Sequence, residues 1–409
     1  MIIENVPIEK INPAQYNPRK DLKPGDPEYE TIKKSIDEFG FVEPLVWNRK
    51  TGNLVGGHQR FKILKDRGDK TVPVSVIDMD TTKEKALNIA LNKISGVWDK
   101  GALQNILLEL KAMDFDLSKI GFSADDLLEQ FGFGNELTQG NGDPNDAPKV
   151  PKKTDIKKGD VYKLGAHELM CGDSADIRQV ERFMGPDRAD MVFTDPPYGV
   201  AIGDKNKFLN TFQKAGRNLE NIEGDKLNAG DLKKTLIAVF MNIREIMKDT
   251  ACIYVTAPQG GDLGLMMLEM MREAGLPVRH VLNWVKNSPT FSMGRLDYEY
   301  QHEPIFYTWK KTHKHYGLGQ FNTSVWYVDK PRKSKEHPTM KPVELMLNAI
   351  LNSTKPGQIV ADFFGGSGST LIACQQSNRK CRTMEIESLY CQVIIDRWES
   401  FTGKKAKKI

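Results

Sequence analysis

The chain has 409 residues, 39% of them hydrophobic and 27% charged, a globular composition too long for one ordinary domain. No apolar run approaches the roughly 18 to 20 residues of a membrane span, and the start, MIIENVPIEKINP, lacks the basic-then-apolar layout of a signal peptide, so a cytosolic protein with no membrane partner is expected. Five scattered cysteines without a C-x-x-C pair read as buried free thiols, with neither disulfides nor a metal site, and a net charge of +4 permits a nucleic-acid partner without requiring one.

In chain order, residues 1–80 mix short strand-like runs (PLVWN, VPVSVID) with a helical stretch, YETIKKSIDEFG, that Gly40 closes, which predicts a small α+β domain. From 81 to 133 apolar residues recur at three and four spacing (EKALNIALNKI, ALQNILLELKAM), with Gly101 and Gly121 as punctuation, which predicts a helical annex. Residues 134–159 are crowded with Gly, Pro, Asn, Asp and Lys and offer almost nothing to bury, so a flexible linker and the main domain boundary are expected there. From 160 to 403 strand-like runs (ADMVFTD, ACIYVT, QIVADFF, KCRTMEI) alternate with amphipathic helices, the pattern of an α/β sheet with crossover helices, and the tail KKAKKI is expected to be frayed.

Two motifs in the last region carry chemistry. QIVADFF runs into Gly365-Gly366-Ser367-Gly368 and then into a helical pattern, so the glycines sit where a strand turns into a helix and where free N–H groups meet a ligand. A P-loop would need a lysine after the loop, and Ser369 and Thr370 stand there; the third glycine of a dinucleotide fingerprint is also out of register. A nucleoside cofactor without a pyrophosphate remains, with Glu385 about 20 residues on, where an acid at a neighbouring strand end can hold ribose hydroxyls. Taken alone, this pair also suits a structural tight turn.

The second motif, Asp195-Pro196-Pro197-Tyr198, follows the strand-like ADMVF, and the two prolines forbid continuation of sheet or helix. In isolation it is an ordinary turn with a packing tyrosine. It also meets a sharper chemical demand. An aromatic amine is a poor nucleophile until fixed acceptors take its N–H groups, and Asp195 with the Pro196 carbonyl can be those acceptors, while Tyr198 offers a face to an extruded base.

TDPPYG, DFFGGSGST, HPTMKPVELM and CGDS together resemble the amino-methyltransferases that act on adenine, or less often cytosine, in DNA, across about Val161 to Trp398. The catalytic turn precedes the cofactor turn, as in the permuted beta arrangement of that family. The resemblance implies a Rossmann-like S-adenosylmethionine-dependent fold acting on double-stranded DNA by base flipping, with a homodimer common in this arrangement. It implies that Asp195, Pro196, Pro197 and Tyr198 are catalytic, that Asp362, Phe363, Gly365, Gly366 and Gly368 line the cofactor, and that Glu385 takes its ribose and Asp173 its adenine ring. Lys341 and Pro342 would close the pocket beside the methionine part, and Asp195 also faces the cofactor. The Asp form of the motif with Tyr points to adenine; cytosine amino-methylation is the alternative within the class, and a DNA-binding protein with an inactive methyltransferase half is the alternative outside it. Target recognition is expected within about 203–336, including the basic and aromatic stretch WKKTHKHYGLGQFNTSVWYVDKPRKSKEH. His302 and Glu303 are read as structural.

Near the start, VEPLVWNRKTGNLVGGHQRFKILKDRG, with Asn17-Pro18-Arg19 upstream, resembles the ParB/sulfiredoxin-like domain of partition proteins, found fused to some phage methyltransferases, and implies a bacterial or phage-infected host. Its Gly56, Gly57, His58 and Arg60 can let backbone N–H groups and a guanidinium approach a phosphate of nucleotide or DNA. His58-Gln59-Arg60 departs from the acidic-Arg-Arg form of this box, which puts nucleotide hydrolysis in doubt.

Overall fold

The computed structural model describes residues 2–92, 99–120, 122, 126–128, 132, 135–198, 229–259, 261–289, 297–330 and 340–409, in two units, Met1–Phe133 and Gly134–Ile409. In the first unit, β1 (Ile2–Pro7), β2 (Asn12–Pro13), β3 (Leu45–Asn48), β4 (Asn53–Gly56) and β5 (Thr71–Ile77) form a sheet in the order β1-β5-β3-β4-β2. Helix α1 (Pro27–Phe39) starts with proline in its first turn, where no N–H is needed, and stops at Gly40. It packs with α2 (His58–Arg67) over Leu45, Leu54, Leu64 and Val74. Helices α3 (Thr81–Asn92) and α4 (Lys100–Ala112) bury Ile89, Leu103, Leu107 and Leu110 in a second cluster.

What joins the annex to the sheet is polar. Glu84, in the first turn of α3, is fully buried and accepts hydrogen bonds from Tyr16 at 2.6 Å, from Asn53 at 2.9 Å, and from Asn48 and Thr51. Burial alone would raise this carboxyl, and the four donors outweigh it and hold it below the usual range. A buried carboxylate with that many donors fixes α3 against β3 and β4, so packing is continuous across residue 80.

The second unit carries the larger sheet. Its strands are β6 (Val161–Leu164), β7 (His167–Cys171), β8 (Ala189–Thr194), β9 (Met247–Thr256), β10 (His280–Val285), β11 (His302–Trp309), β12 (Val325–Tyr327), β13 (Ile359–Asp362), β14 (Lys380–Glu385) and β15 (Lys407–Lys408), in the order β12-β10-β11-β9-β8-β13-β14-β7-β6-β15. The run β9-β8-β13-β14-β7 is parallel throughout. Its strands are buried on both faces, β13 at all four positions and β14 at every position after Lys380, because helices cover both sides of the sheet. Helices α5 (Ile177–Met184), α6 (Ala229–Ile246) and α7 (Gly261–Glu273) cover one face, and α8 (Val343–Ser353), α9 (Ser369–Gln376) and α10 (Ser388–Thr402) the other. From β8 the chain moves through α6 to β9, and from β13 through α9 to β14 in the opposite direction, so the gap between β8 and β13 is the switch point of a doubly wound sheet. All five cysteines are buried free thiols, and no helix among the described residues is long and apolar enough to cross a membrane.

Two expectations are overturned here. The segment after residue 134 is a strap along the second unit: Thr138 N–H donates to the Gln376 carbonyl, Asn141 N–H to the Phe401 carbonyl, and Thr154 to Gln392 at 2.9 Å. Its composition hides this because it is held by backbone groups and by side chains of other elements, with few apolar side chains of its own. The tail does not fray either, since Lys407 and Lys408 pair with β6.

Candidate active site at the switch point

Asp195 leaves the carboxyl end of β8 at the switch point, and Pro196 and Pro197, lacking N–H donors, end the strand there. One carboxylate oxygen, Oδ1, accepts from the Thr256 hydroxyl at the end of β9 and from the Tyr198 hydroxyl at 3.1 Å. The other, Oδ2, accepts from Lys341 Nζ at 2.7 Å. Burial, and then the charges of Asp195 and Glu303, push the Tyr198 phenol well up, so it stays a donor. The Tyr198 ring is half-buried against the α5–α7 core, and Gly199 lies outside the described residues.

Lys341 is buried, and burial alone would lower its ammonium; the charges of Asp195 and Glu303 reverse this and raise it. Glu303 Oε2 lies 3.5 Å from Lys341 Nζ, and Oε1 meets Lys286 Nζ at 2.5 Å, so two lysines alternate with two carboxylates. Burial would raise Glu303, and Lys341 and Lys286 hold it below the usual range. Sequence reading took Glu303 as structural and gave Thr256 no part in the site. Thr256 reaches Asp195 because β9 pairs with β8, and Glu303 reaches Lys341 from β11 on the other side of β9, pairings that no short motif records.

The glycine turn stands beside this network. Asp362, at the end of β13, faces inward: Oδ1 accepts from Thr194 Oγ1 and the Phe364 N–H, both at 3.1 Å, and Oδ2 from Thr370 Oγ1 at 2.6 Å. Burial raises it to about 7 in spite of those donors. The Phe363 side chain is in the core. A Cβ on Gly365 would lie 2.6 Å from Thr383 Oγ1, and Gly368 caps α9 in the left-handed region at φ 83°, so both glycines are required by packing and backbone. Gly366 shares the left-handed region, at φ 50°, but leaves open space: a Cβ there would meet nothing nearer than the Phe364 carbonyl at 4.0 Å, and its N–H donates to Glu385 Oε2 at 2.7 Å. Glu385 Oε1 accepts from the Glu387 N–H, and burial raises this carboxyl to about 7. Gly172 N–H bonds the Glu385 carbonyl, which sets the half-buried Asp173 at the same edge of the sheet. Asp173, Asp195, Asp362 and Glu385 thus converge at the carboxyl ends of four parallel strands, and Lys341, with Pro342 beside it in the chain, joins them through Asp195.

The basic stretch that starts at Trp309 divides. Trp309 ends β11 opposite Cys252, four residues back along β9 from Thr256, and stacks on His313 at 3.8 Å, with the Arg279 guanidinium over the Trp309 ring at 4.5 Å. That portion lies toward the opposite end of the sheet from Asp195, and among the described residues of the stretch β12 returns toward the catalytic edge. Residues 203–228, 290–296 and 331–336 of the expected recognition region, and His337 to Thr339, lie outside the described residues.

In the first unit, Gly56 ends β4 and Gly57 caps α2 at φ 88°. Arg60 donates to the Glu43 carbonyl at 3.0 Å and pairs with its carboxylate. Burial, then the charge of Arg19, lowers His58 to about 4, which keeps the ring neutral. His58 Nε2, Gln59 Oε1 and Asn17 Oδ1 are buried without a hydrogen-bond partner among the described residues. Among those residues no group of three or more His, Cys, Asp or Glu is arranged to hold a metal ion.

Comparison with known proteins places this geometry. Residues 189–396, just over half of the chain, match the family model described as DNA methylase, and residues 1–93 match the ParB N-terminal domain. Type II methyltransferase M2.DpnII of Streptococcus pneumoniae is 23% identical over 236 residues, 53% of this chain and 85% of that protein. Among solved structures, the M1.HpyAVI-SAM complex is 22% identical with a TM-score of 0.40, covering 56% of this chain and 98% of that one. The cytosine-N4-specific PvuII DNA methyltransferase is 15% identical with a TM-score of 0.42, covering 56% and 86%.

Proposed function

Because the chain belongs to the DNA methylase family, we propose that it transfers a methyl group from S-adenosylmethionine to the exocyclic amino group of adenine in duplex DNA, with Asp195 as the acceptor that orients that amine. The observation that carries this reading is the Asp195 carboxylate fixed at the switch point by Thr256, Tyr198 and Lys341, beside a glycine turn whose neighbouring strand ends in Glu385.

The residues fit the cofactor. Gly366 leaves open space where its backbone turns, and the Glu385 and Asp173 carboxylates are acceptors for ribose hydroxyls and the adenine ring. Asp362, Phe363, Gly365 and Gly368 hold the turn in shape from within. When bound, S-adenosylmethionine supplies a methyl group on a sulfonium centre. Asp195 and the Pro196 carbonyl accept from the amine of an extruded base and favour a more tetrahedral, reactive nitrogen. Lys341 fixes Oδ2 of Asp195 in advance, so the acceptor does not reorient as the base enters. Alignment then replaces acid assistance, and Pro197 and Tyr198 keep the turn rigid. The Asp-Pro-Pro-Tyr form of the motif is the reason for preferring adenine.

For the first unit we propose a phosphate site at Gly56, Gly57, His58 and Arg60, supported by the unpartnered His58 Nε2, which as the N–H of a neutral ring can donate to a phosphate oxygen, beside a left-handed glycine.

Incubation with labelled S-adenosylmethionine and mixed-sequence DNA, followed by nucleoside analysis, tests the main reading. Methyladenine is expected; methylcytosine would move the assignment to the other base, and no labelled nucleoside would sink it. Asp195→Ala should lower transfer by at least about 10³-fold and leave cofactor affinity within about threefold, as loss of an interaction made in the transition state does.

A further inference from the structure

The glycine turn and the catalytic lysine are tied to one another by a third segment, the strap, at two adjacent residues. Helix α8 begins two residues after Lys341, and its cap position is Pro342, which has no side-chain acceptor to offer the first free N–H groups. The strap supplies one: Asn145 Oδ1 accepts from the Val343 N–H at 2.9 Å. One residue earlier, the Pro144 carbonyl accepts from Arg397 at 2.8 Å. Arg397 is almost fully buried in α10, and its other terminal nitrogen donates to the Ser367 carbonyl of the glycine turn at 2.8 Å. The circuit closes through Ser369, whose hydroxyl donates to the Lys341 carbonyl at 2.8 Å.

We propose that Pro144 and Asn145 of the strap are positioning residues for methyl transfer: Asn145 caps α8 and so sets Lys341 on Asp195, while Pro144 acts through Arg397 to set the glycine turn. This rests on the functional reading above and extends it to a segment outside the matched family region. The chemistry favours it over plain packing. Among the described residues Arg397 has no carboxylate in contact, and a guanidinium buried this way is costly unless its donors are used, so the two carbonyls that take its terminal nitrogens matter the more because Nε has no partner there. Burial lowers it to about 10, and the strap's own Asp143 and Asp146 are the charges that oppose this. Asn145 is held for its role by an Asx turn, its N–H donating to Asp143 Oδ1 at 2.8 Å. The strap therefore delivers one acceptor to each half of the site from a single rigid tetrapeptide.

Variants of the full-length chain test this. Asn145→Ala should lower kcat at saturating S-adenosylmethionine and DNA about fivefold, the equivalent of one lost helix cap, with KM for the cofactor changed less than about twofold. Asn145→Asp keeps an acceptor at the same atom and should restore kcat to within about twofold of the parent. Arg397→Lys, which cannot bridge two carbonyls, should instead raise the cofactor Kd about tenfold, read by calorimetry without DNA. Asn145 is half-buried, so its variants are expected to fold, and melting curves check this. A parental kcat in Asn145→Ala, or an equal loss in Asn145→Asp with an unchanged melting midpoint, overturns the role of Asn145, and an unchanged Kd in Arg397→Lys overturns that of Pro144. A parent chain that binds the cofactor and methylates no DNA would sink the functional reading alone, and the strap is then decided by the calorimetric Kd.

Discussion

Two turns in this molecule share one backbone and differ in what surrounds it. In each, a strand runs into glycines and a helix starts behind a left-handed glycine cap, Gly57 at φ 88° and ψ 26° before α2 and Gly368 at φ 83° and ψ 24° before α9. Around Gly368 stand buried carboxyls, Asp362 and Glu385; around Gly57 stand Arg19, Arg60 and a neutral histidine. Glycine at such a turn permits close approach of a ligand without saying which one. The flanking charges choose: acids suit the hydroxyls of a nucleoside with a cationic tail, and guanidinium groups suit phosphate.

The largest effect that separates the two turns is expected at Glu385. Glu385→Ala should weaken S-adenosylmethionine binding by about 100-fold, the range of a lost charged hydrogen-bond acceptor, and leave phosphate binding by the first unit alone. Calorimetry with each ligand on the full chain reads both; an equal loss at both turns would mean that the two sites are not separate. Arg60→Ala should have the smaller converse effect, about tenfold on binding of a nucleoside triphosphate or duplex DNA, with kcat for methyl transfer unchanged. It is smaller because Arg60 already spends one interaction on Glu43.

A further pair of substitutions asks whether the backbones are as alike as their angles. Gly57→Ala and Gly368→Ala each force a Cβ into the left-handed region, at a cost of about 1–2 kcal/mol of stability in either unit. Only Gly368→Ala should impair methyl transfer. Similar stability losses with impaired transfer from Gly57→Ala would break the division between the two turns.

The contrast also shows what a sequence can disclose. Both glycine turns and the Asp-Pro-Pro-Tyr turn were legible because each is contiguous: residues that act together are neighbours in the chain. The α/β sheet with crossover helices was legible from its strand-like runs and amphipathic helices, and the order of the motifs from the chain itself. Thr256 and Glu303 were not, since their parts depend on the pairing of β9 with β8 and of β11 with β9. The strap read as a linker because composition records apolar side chains and not carbonyls held by a distant arginine. Lys341 was picked out, yet its partner is the Asp195 carboxylate, a distance no motif gives.

The smallest expected effect, a few degrees in melting midpoint, comes from pH and has opposite sign in the two turns. Asp362 and Glu385 have folded-state values near 7, above the ordinary carboxylate range, so their folded forms retain protons that the unfolded chain releases. Their contribution is therefore full below the ordinary carboxylate range and is lost as pH rises through about 7. His58, lowered to about 4, works the other way: its contribution is full above the ordinary histidine value near 6.5 and is lost as pH falls through about 4. Other groups titrate in the same window, among them the buried His167, also near 4, so the test is a difference between variants. Asp362→Asn should flatten the decline in stability between about pH 4 and 7, whereas His58→Gln should flatten the decline on acidification, both followed by thermal melts across that range. Flattening of the same limb by both variants would show that the charge surroundings, and not only the backbones, of the two turns are alike.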